Sequence, residues 1–245
     1  MHKTLSATAA RFARRLGYEV VPAWRLDQYG LEQHLKDVFR KFSVGTVFDV
    51  GANVGQFRDF LRQRVGFDGA IHSFEPVSRL AARLADRAKA DARWRIHQFA
   101  LGESNTTMEI NVAASDTFSS FLDARAAPDS PFASSMAVRE RERVTVKRGD
   151  DVWPGLIEDA GNVYLKVDTQ GFDMTVLRGS KNLMQALPAF QFELPVQPLY
   201  QGTPHYLDIL KELEDWGFVL SGLFPITTND RLQIVECDCV MVARR

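Results

Sequence analysis

The sequence predicts an α/β protein. A mostly parallel sheet with helices on both faces occupies residues 46–245, and a helical extension over residues 1–45 precedes it. Three observations predict this. From residue 46 short apolar runs alternate with segments of helical period, β-α-β-α-β, the pattern of a parallel sheet wrapped by helices. Four of these runs close on an acid: Asp49, Glu75, Asp168 and Glu193. The first run opens directly into a glycine-flanked turn, Gly51-Ala52-Asn53-Val54-Gly55, followed by a helix.

Taken in order, residues 4–16 read as a first helix, and Pro22 breaks the pattern. Leu31, Leu35, Val38, Phe39 and Phe42 recur at helical spacing and predict a second helix ending near Phe42. The strand 46–50 follows Gly45, and Phe57, Phe60 and Leu61 form the buried side of the next helix. Ala70 to Pro76 is a second strand, which Pro76 ends because it lacks an N–H for a ladder. Residues 77–89 are helical, and Arg95 to Leu101 is a third strand. Thr107–Val112 and Arg143–Lys147 alternate like antiparallel strands. The long segment between them, 113–142, is a loop on the ligand side. Val163–Asp168 is the fourth core strand, with a helix after Gly171, and Pro188–Glu193 is the fifth. A helix over 204–216 and strands over Gly217–Ser221 and Ile234–Ala243 complete the chain, with a turn-rich connection around Pro225 and Asn229-Asp230.

The chain has 245 residues, 45% hydrophobic and 25% charged, which suits one sizeable globular domain and not a disordered chain. A formal charge of -1 supplies no global field for nucleic acid, which is not expected as a partner. No run of apolar residues is long enough for a transmembrane helix. The Arg-rich amphipathic stretch Met1–Arg15 lacks the apolar core of a secretory signal and reads as a cap on the domain in preference to a membrane-surface helix. Cys237 and Cys239, two apart on one strand face, read as buried thiols, and the expected compartment is the cytoplasm.

In open α/β sheets ligands bind beyond the carboxyl ends of the strands. The glycine turn sits at such an end, with free helix N–H groups behind it. Glu75 lies 20 residues after Gly55, the separation at which a second-strand acid meets ribose hydroxyls. Asn53 occupies the place where a pyrophosphate-binding turn needs a second bare glycine. S-adenosylmethionine carries no phosphate and tolerates Asn there. Its ammonium needs acceptors such as Asp49. The turn therefore favours S-adenosylmethionine over NAD.

Four motifs in order, Phe48–Phe57, Ser73-Phe74-Glu75-Pro76, Phe99-Ala100-Leu101-Gly102 and Leu165–Asp173 with Val176-Leu177-Arg178-Gly179, resemble the FkbM-type methyltransferases from about residue 46 to 195. The resemblance implies a Rossmann-like, class I methyltransferase fold with a seven-stranded sheet. It also implies S-adenosylmethionine-dependent O-methylation of hydroxyls on sugars, glycans or other natural products. It assigns Asp49, Gly51, Ala52, Asn53, Gly55 and Gln56 to the methionine part of the cofactor. Glu75 with Pro76 falls to the ribose, Ala100 and Leu101 to the adenine, and Asp168 to the cofactor–substrate junction. Asp173 departs from the Glu more usual in the family, which shortens its reach.

Methyl transfer to a hydroxyl requires alignment and loss of a proton. Asp168 and Lys166 share a strand face and are the candidate bases, with an ion pair of Lys166 to Asp168 or Glu193 as the competing role. Glu193 joins them as a candidate catalytic acid, and Asp168 with Glu193 would be the oxygen ligands if a divalent ion such as magnesium took part. His72 and His97 read as packed strand histidines, and His205, at a helix start, as a weaker base. In the loop, Phe118, Ser119, Ser120 and Phe121 suit a sugar-like acceptor, whereas Arg125, Arg139 and Arg141 suit an anionic one. An NAD-dependent oxidoreductase and a non-catalytic binding module on the same fold are the competing readings.

Overall fold

The computed structural model describes residues 12–13, 15–18, 20–125, 132–157 and 162–244. Most of the predicted first helix, 4–16, and part of the predicted loop 113–142 lie outside them.

Seven strands form the main sheet. They are β1 (Val44–Val50), β2 (Ala70–Phe74), β3 (Trp94–His97), β7 (Asn162–Val167), β8 (Ala189–Pro195), β9 (Phe218–Thr228) and β10 (Ile234–Ala243). Their order is β3-β2-β1-β7-β8-β10-β9. The ladders from β3 through β8 are parallel, and β10 runs antiparallel to both β8 and β9. The sheet is therefore mixed, with a single reversed strand. Strand order reverses between β1 and β7, which opens a crevice beyond their carboxyl ends.

Successive strand residues serve opposite faces. Val47, Ile71, Tyr164 and Ala189 pack with Leu35, Phe39, Leu61 and Leu84 from the helices Leu26–Lys41, Gln56–Val65 and Ser78–Ala88. Their neighbours Phe48, Leu165 and Phe190 pack on the other face with Leu177, Leu183 and Leu213 from Asp173–Arg178, Lys181–Ala186 and Tyr206–Asp215. Each such large side chain removed from water contributes about 1.5–3 kcal/mol, and a sheet covered on both faces explains why its central strands are apolar throughout.

Three predicted strands differ from the structure, one of them the run Arg143–Lys147, which extends over Val138–Arg148 and takes Arg139 and Arg141 out of the predicted loop. The run expected as one strand from Arg95 to Leu101 is two: β3 ends at His97, and β4 (Ala100–Gly102) belongs to a second, three-stranded sheet. Phe99 makes the break by packing its ring against Phe74 and His97. The last hairpin is longer than expected. Pro225 lies within β9 and not in a turn, which is tolerated because β9 is an edge strand. Asn229 closes the real turn through its side chain, with Oδ1 accepting from Arg231 and Gln233 N–H.

The second sheet, in the order β4-β6-β5, contains β5 (Thr106–Ala113) and β6 (Val138–Arg148), antiparallel to each other as predicted. Ile110, Val112 and Val144 bury against Val77 and Leu80 at the start of helix Ser78–Ala88. That contact fixes the loop leaving β5 over the crevice. Cys237 and Cys239 are buried free thiols. No helix among the described residues is long and apolar enough to cross a membrane.

Candidate functional site

A cleft of about 800 Å3 lies beyond the carboxyl ends of the strands. Its first half is made of backbone. At the end of β1, Gly51 and Ala52 donate their N–H groups to Phe74 O at 3.0 and 3.1 Å, and Asp168 N–H donates to Val50 O at 3.0 Å. The three strand ends are thus stitched together. Gly51 adopts φ +80°, and a Cβ there would stand 1.8 Å from Asp168 O, so only glycine allows the turn to pass the end of β7. Asn53 has φ +50°, a left-handed conformation that Asn tolerates better than most side chains.

Glu75 follows the end of β2. Its carboxylate accepts from Asn53 N–H at 2.8 Å and Val77 N–H at 2.9 Å, holding the glycine turn against the start of the next helix. It is only 5% exposed, and burial pushes its pKa up to about 7. The two N–H donors act against that rise, while the charge of Asp49 adds to it. Glu75, Pro76, Gly51, Ala52, Asn53 and Gln56 all line the cleft, and Ala100 and Leu101 of β4 do so beyond Glu75. Asp49 and Gly55 do not. Asp49 is fully buried beneath the turn, accepting from Ser73 Oγ at 3.0 Å and lying 3.3 Å from Lys166 Nζ. Gly55 turns behind the cleft against Arg87, Trp94 and Leu84.

Side chains make the second half. Lys166 on β7 and Asp168, the residue just past its end, come together, with Lys166 Nζ 3.2 Å from Asp168 Oδ2. Burial works against the charge on Lys166. The carboxylates of Asp168 and Asp49 outweigh it and hold the ammonium protonated far above neutral pH. Glu193 on β8 and Glu236 and Asp238 on β10 also face the cleft. Burial and the charges of Asp168 and Glu236 push Glu193 well above the ordinary carboxylate range. Asp238 is pushed up to about 6 by burial, even though it accepts a hydrogen bond from Gln191 Nε2 at 2.6 Å.

Gln170 sits among these acids. Its Nε2 donates to Asp168 Oδ1 at 3.0 Å and to Glu193 Oε2 at 2.7 Å. The amide joins the two carboxylates that would be the oxygen ligands if a divalent ion took part. Among the described residues no group of three or more His, Cys, Asp or Glu could hold a metal. Asp168 and Glu193 are joined through an amide donor and are not gathered into such a group. Asp173 is buried, accepts from Thr169 N–H, and is pushed up to about 7 by burial and by Asp168.

The loop after β5 forms the wall opposite the acids, with Phe118, Ser119 and Phe121 lining the cleft. Arg139 and Arg141 lie exposed on β6 and are not part of the lining, and neither is Arg125. His72 and His97 stack on one another in the β2–β3 region, Nδ1 to Nε2 at 3.0 Å, as packed histidines. His205 caps helix Tyr206–Asp215, its Nδ1 accepting from Leu207 N–H. Sequence reasoning missed Gln170, Glu236 and Asp238. The alternation Glu236-Cys237-Asp238-Cys239, which places two acids on one strand face, is the signal that could have found the last two.

The cleft fits a polar, nucleoside-sized ligand. Asn53 Oδ1 and Thr169 Oγ1, on residues that line it, are buried with no hydrogen-bond partner.

Comparison with known proteins gives the family. Residues 49–220 match the family model described as the Methyltransferase FkbM domain, well over half of the chain, and the chain belongs to the FkbM methyltransferase family. No curated protein matches the chain. Among solved structures it is similar to a methyltransferase FkbM from Methylobacillus flagellatus KT, at 17% identity and a TM-score of 0.49, covering 81% of this chain and 43% of that one. The chain thus spans less than half the length of that relative. It is also similar to Aeropyrum pernix fibrillarin with natively bound S-adenosyl-L-methionine, at 12% identity and a TM-score of 0.46, covering 81% of this chain and 67% of that one. A third is the magnesium protoporphyrin IX methyltransferase of Synechocystis PCC 6803, at 12% identity and a TM-score of 0.44, covering 95% and 89%. The fold is the class I methyltransferase fold, Rossmann-like with a mixed seven-stranded sheet.

Proposed function

We propose that this FkbM-family chain uses S-adenosylmethionine to methylate a hydroxyl of an uncharged acceptor, a sugar, glycan or other natural product. The observation that carries the reading is one cleft faced from one side by a backbone-built turn with Glu75 and from the other by Asp168. Glu75 offers the oxygen lone pairs left over from its two N–H contacts to the ribose hydroxyls. Ala100 and Leu101 give an apolar seat to the adenine. Gly51, Ala52, Asn53 and Gln56 surround the methionine part.

Bound S-adenosylmethionine supplies an electrophilic methyl group on a sulfonium. The chain has to place a hydroxyl in line with it and accept the proton. Asp168, the more exposed member of its ion pair, is the proton acceptor. Lys166 is held as an ammonium, so it steadies Asp168 and does not act as a base. Glu193 offers a second oxygen to the acceptor. Among the described residues the cations lining the cleft are Lys166, spent on Asp49 and Asp168, and Arg64, spent on Glu32. An anionic acceptor would meet Glu193, Glu236 and Asp238 with no cation to receive it, which favours an uncharged one.

Calorimetric titration with S-adenosylhomocysteine and with NAD tests the donor half. Binding of NAD in place of S-adenosylhomocysteine overturns the reading. A panel of hydroxylated acceptors, assayed for donor turnover, tests the reaction, and donor binding without turnover on any acceptor favours a binding module. Activity should survive in chelator; loss restored by magnesium would return the divalent ion to Asp168 and Glu193. Asp168→Asn should lower turnover at least about 100-fold while S-adenosylhomocysteine affinity changes little. Equal loss of both makes Asp168 a cofactor ligand only.

A further inference from the structure

We infer that Gln170 is the positioning residue of the site: it aims Asp168 and fastens it to the wall of the acceptor cleft. The inference rests on the reading of Asp168 as proton acceptor, and its geometry stands independently of that reading. Every polar atom of the Gln170 amide is engaged. Both Nε2 donors are spent, one on Asp168 Oδ1 at 3.0 Å and one on Glu193 Oε2 at 2.7 Å. Oε1 lies 3.0 Å from the Tyr200 hydroxyl, which is also 3.0 Å from Phe118 O. The Gln170 carbonyl accepts from Ser120 Oγ at 2.7 Å. Ser120 is buried, and its neighbours Phe118, Ser119 and Phe121 line the cleft. One residue therefore joins two acids on adjacent strands to both anchors of the opposite wall.

The backbone supports the same role. Gln170 holds φ +54°, a left-handed conformation uncommon for a residue of this size, and Gly171 follows at φ +89°. Such conformations persist where surrounding contacts over-determine them, and they gather at functional sites. The chemistry of the position selects glutamine. Two N–H donors must meet two carboxylates while a carbonyl meets a hydroxyl, at a reach longer than asparagine allows. Glutamate would add a third carboxylate, and lysine has no acceptor. With Asp168 Oδ2 taken by Lys166 and Oδ1 by Gln170, the carboxylate is held by both oxygens. A disturbance of the acceptor wall would therefore reach Asp168 through a single side chain.

Selective 15N labelling of glutamine side chains tests this without a known acceptor. In the ligand-free protein one amide pair should show both protons shifted downfield and exchanging with solvent at least about tenfold more slowly than exposed glutamines. Gln170→Glu should delete that pair. Asp168→Asn should move one proton, Glu193→Met the other, and Tyr200→Phe the nitrogen. A Gln170 pair that behaves like the exposed glutamines, or that ignores Asp168→Asn and Glu193→Met, overturns the proposal. The kinetic counterpart uses an acceptor that the wild type methylates. Gln170→Met should lower kcat at least about tenfold and leave S-adenosylhomocysteine affinity within about twofold; a parallel loss of both overturns the positioning role. If the wild type binds no S-adenosylhomocysteine, the donor reading fails while the amide signature still decides the geometry.

Discussion

The two halves of the cleft are built on different principles. The half proposed for the donor is main chain: glycine and alanine N–H groups tied to Phe74 O, with the single carboxylate of Glu75 satisfied by two backbone donors. The half proposed for the acceptor is side chain: Asp168, Glu193, Glu236 and Asp238 converge from the end of β7, from β8 and from β10, with Gln170 and Lys166 threaded among them. Main-chain geometry is set by a few neighbouring residues and tolerates little change. A side-chain constellation is assembled from distant stretches and can be retuned one residue at a time.

The largest expected effect comes from breaking the donor half at Gly51. Gly51→Ala places a methyl group 1.8 Å from Asp168 O at a φ of +80°, so either β7 or the turn must move. A side chain in that region costs about 1–2 kcal/mol by itself, and the backbone clash adds to it. Chemical denaturation should show a loss above about 3 kcal/mol, and S-adenosylhomocysteine binding should vanish in the folded fraction. Retained binding would mean that the turn is not the donor site.

Next in size is Glu75. Glu75→Ala removes the capping of two N–H groups together with the proposed ribose contact, and should weaken S-adenosylhomocysteine binding by about 1–3 kcal/mol in calorimetry. Unchanged affinity confines Glu75 to its structural role of holding Asn53 and Val77.

The contrast between the halves also explains what the sequence could reveal. The turn and its tie to Glu75 were legible because their parts are contiguous: strand, Gly51 to Gly55, and Glu75 at a fixed distance. The single reversed strand is written in no motif, since β10 follows β9 in the chain but inserts between β8 and β9 in the sheet. Asp49 was legible as an acid at a strand end, but its depth was not. A period of two places it on a face without saying that Lys166 would cover it. Gln170 was hidden for a further reason. Its role depends on Tyr200 and Ser120, 30 and 50 residues away in the chain, and a glutamine in a turn ordinarily signals nothing. The break at Phe99 was missed because an apolar residue continuing a strand and one turning inward to pack on Phe74 look alike in sequence.

The smallest expected effect sharpens the acceptor half. Asp238 is half-buried among Glu193, Glu236 and Asp168, and its pKa rises from 3.8 to about 6 on folding. Between those values the unfolded chain ionises first, so the folded state binds more protons and stability falls as pH rises. Glu193 and Glu236 are raised as well and act in the same sense. His97, lowered to about 4 by burial, and His34, also lowered by burial, act oppositely, because each stays neutral in the fold where a free imidazole would be charged. Subtracting wild type from Asp238→Asn cancels the distant groups, His34 and His97 among them, and leaves Asp238 with its coupling to Glu193, Glu236, Asp168 and Lys166. The variant should gain about 1–2 kcal/mol in urea denaturation at pH 8 and much less at pH 4.5, where the wild-type carboxyl is already protonated in the fold. An equal gain at both pH values would mean that Asn packs better and that charge repulsion is not the cause. A loss at pH 8 would show Asp238 to be a stabilised carboxylate whose hydrogen bond from Gln191 outweighs its neighbours. A stability gain accompanied by weaker acceptor turnover is the signature of acids kept close together for a ligand at the expense of the fold.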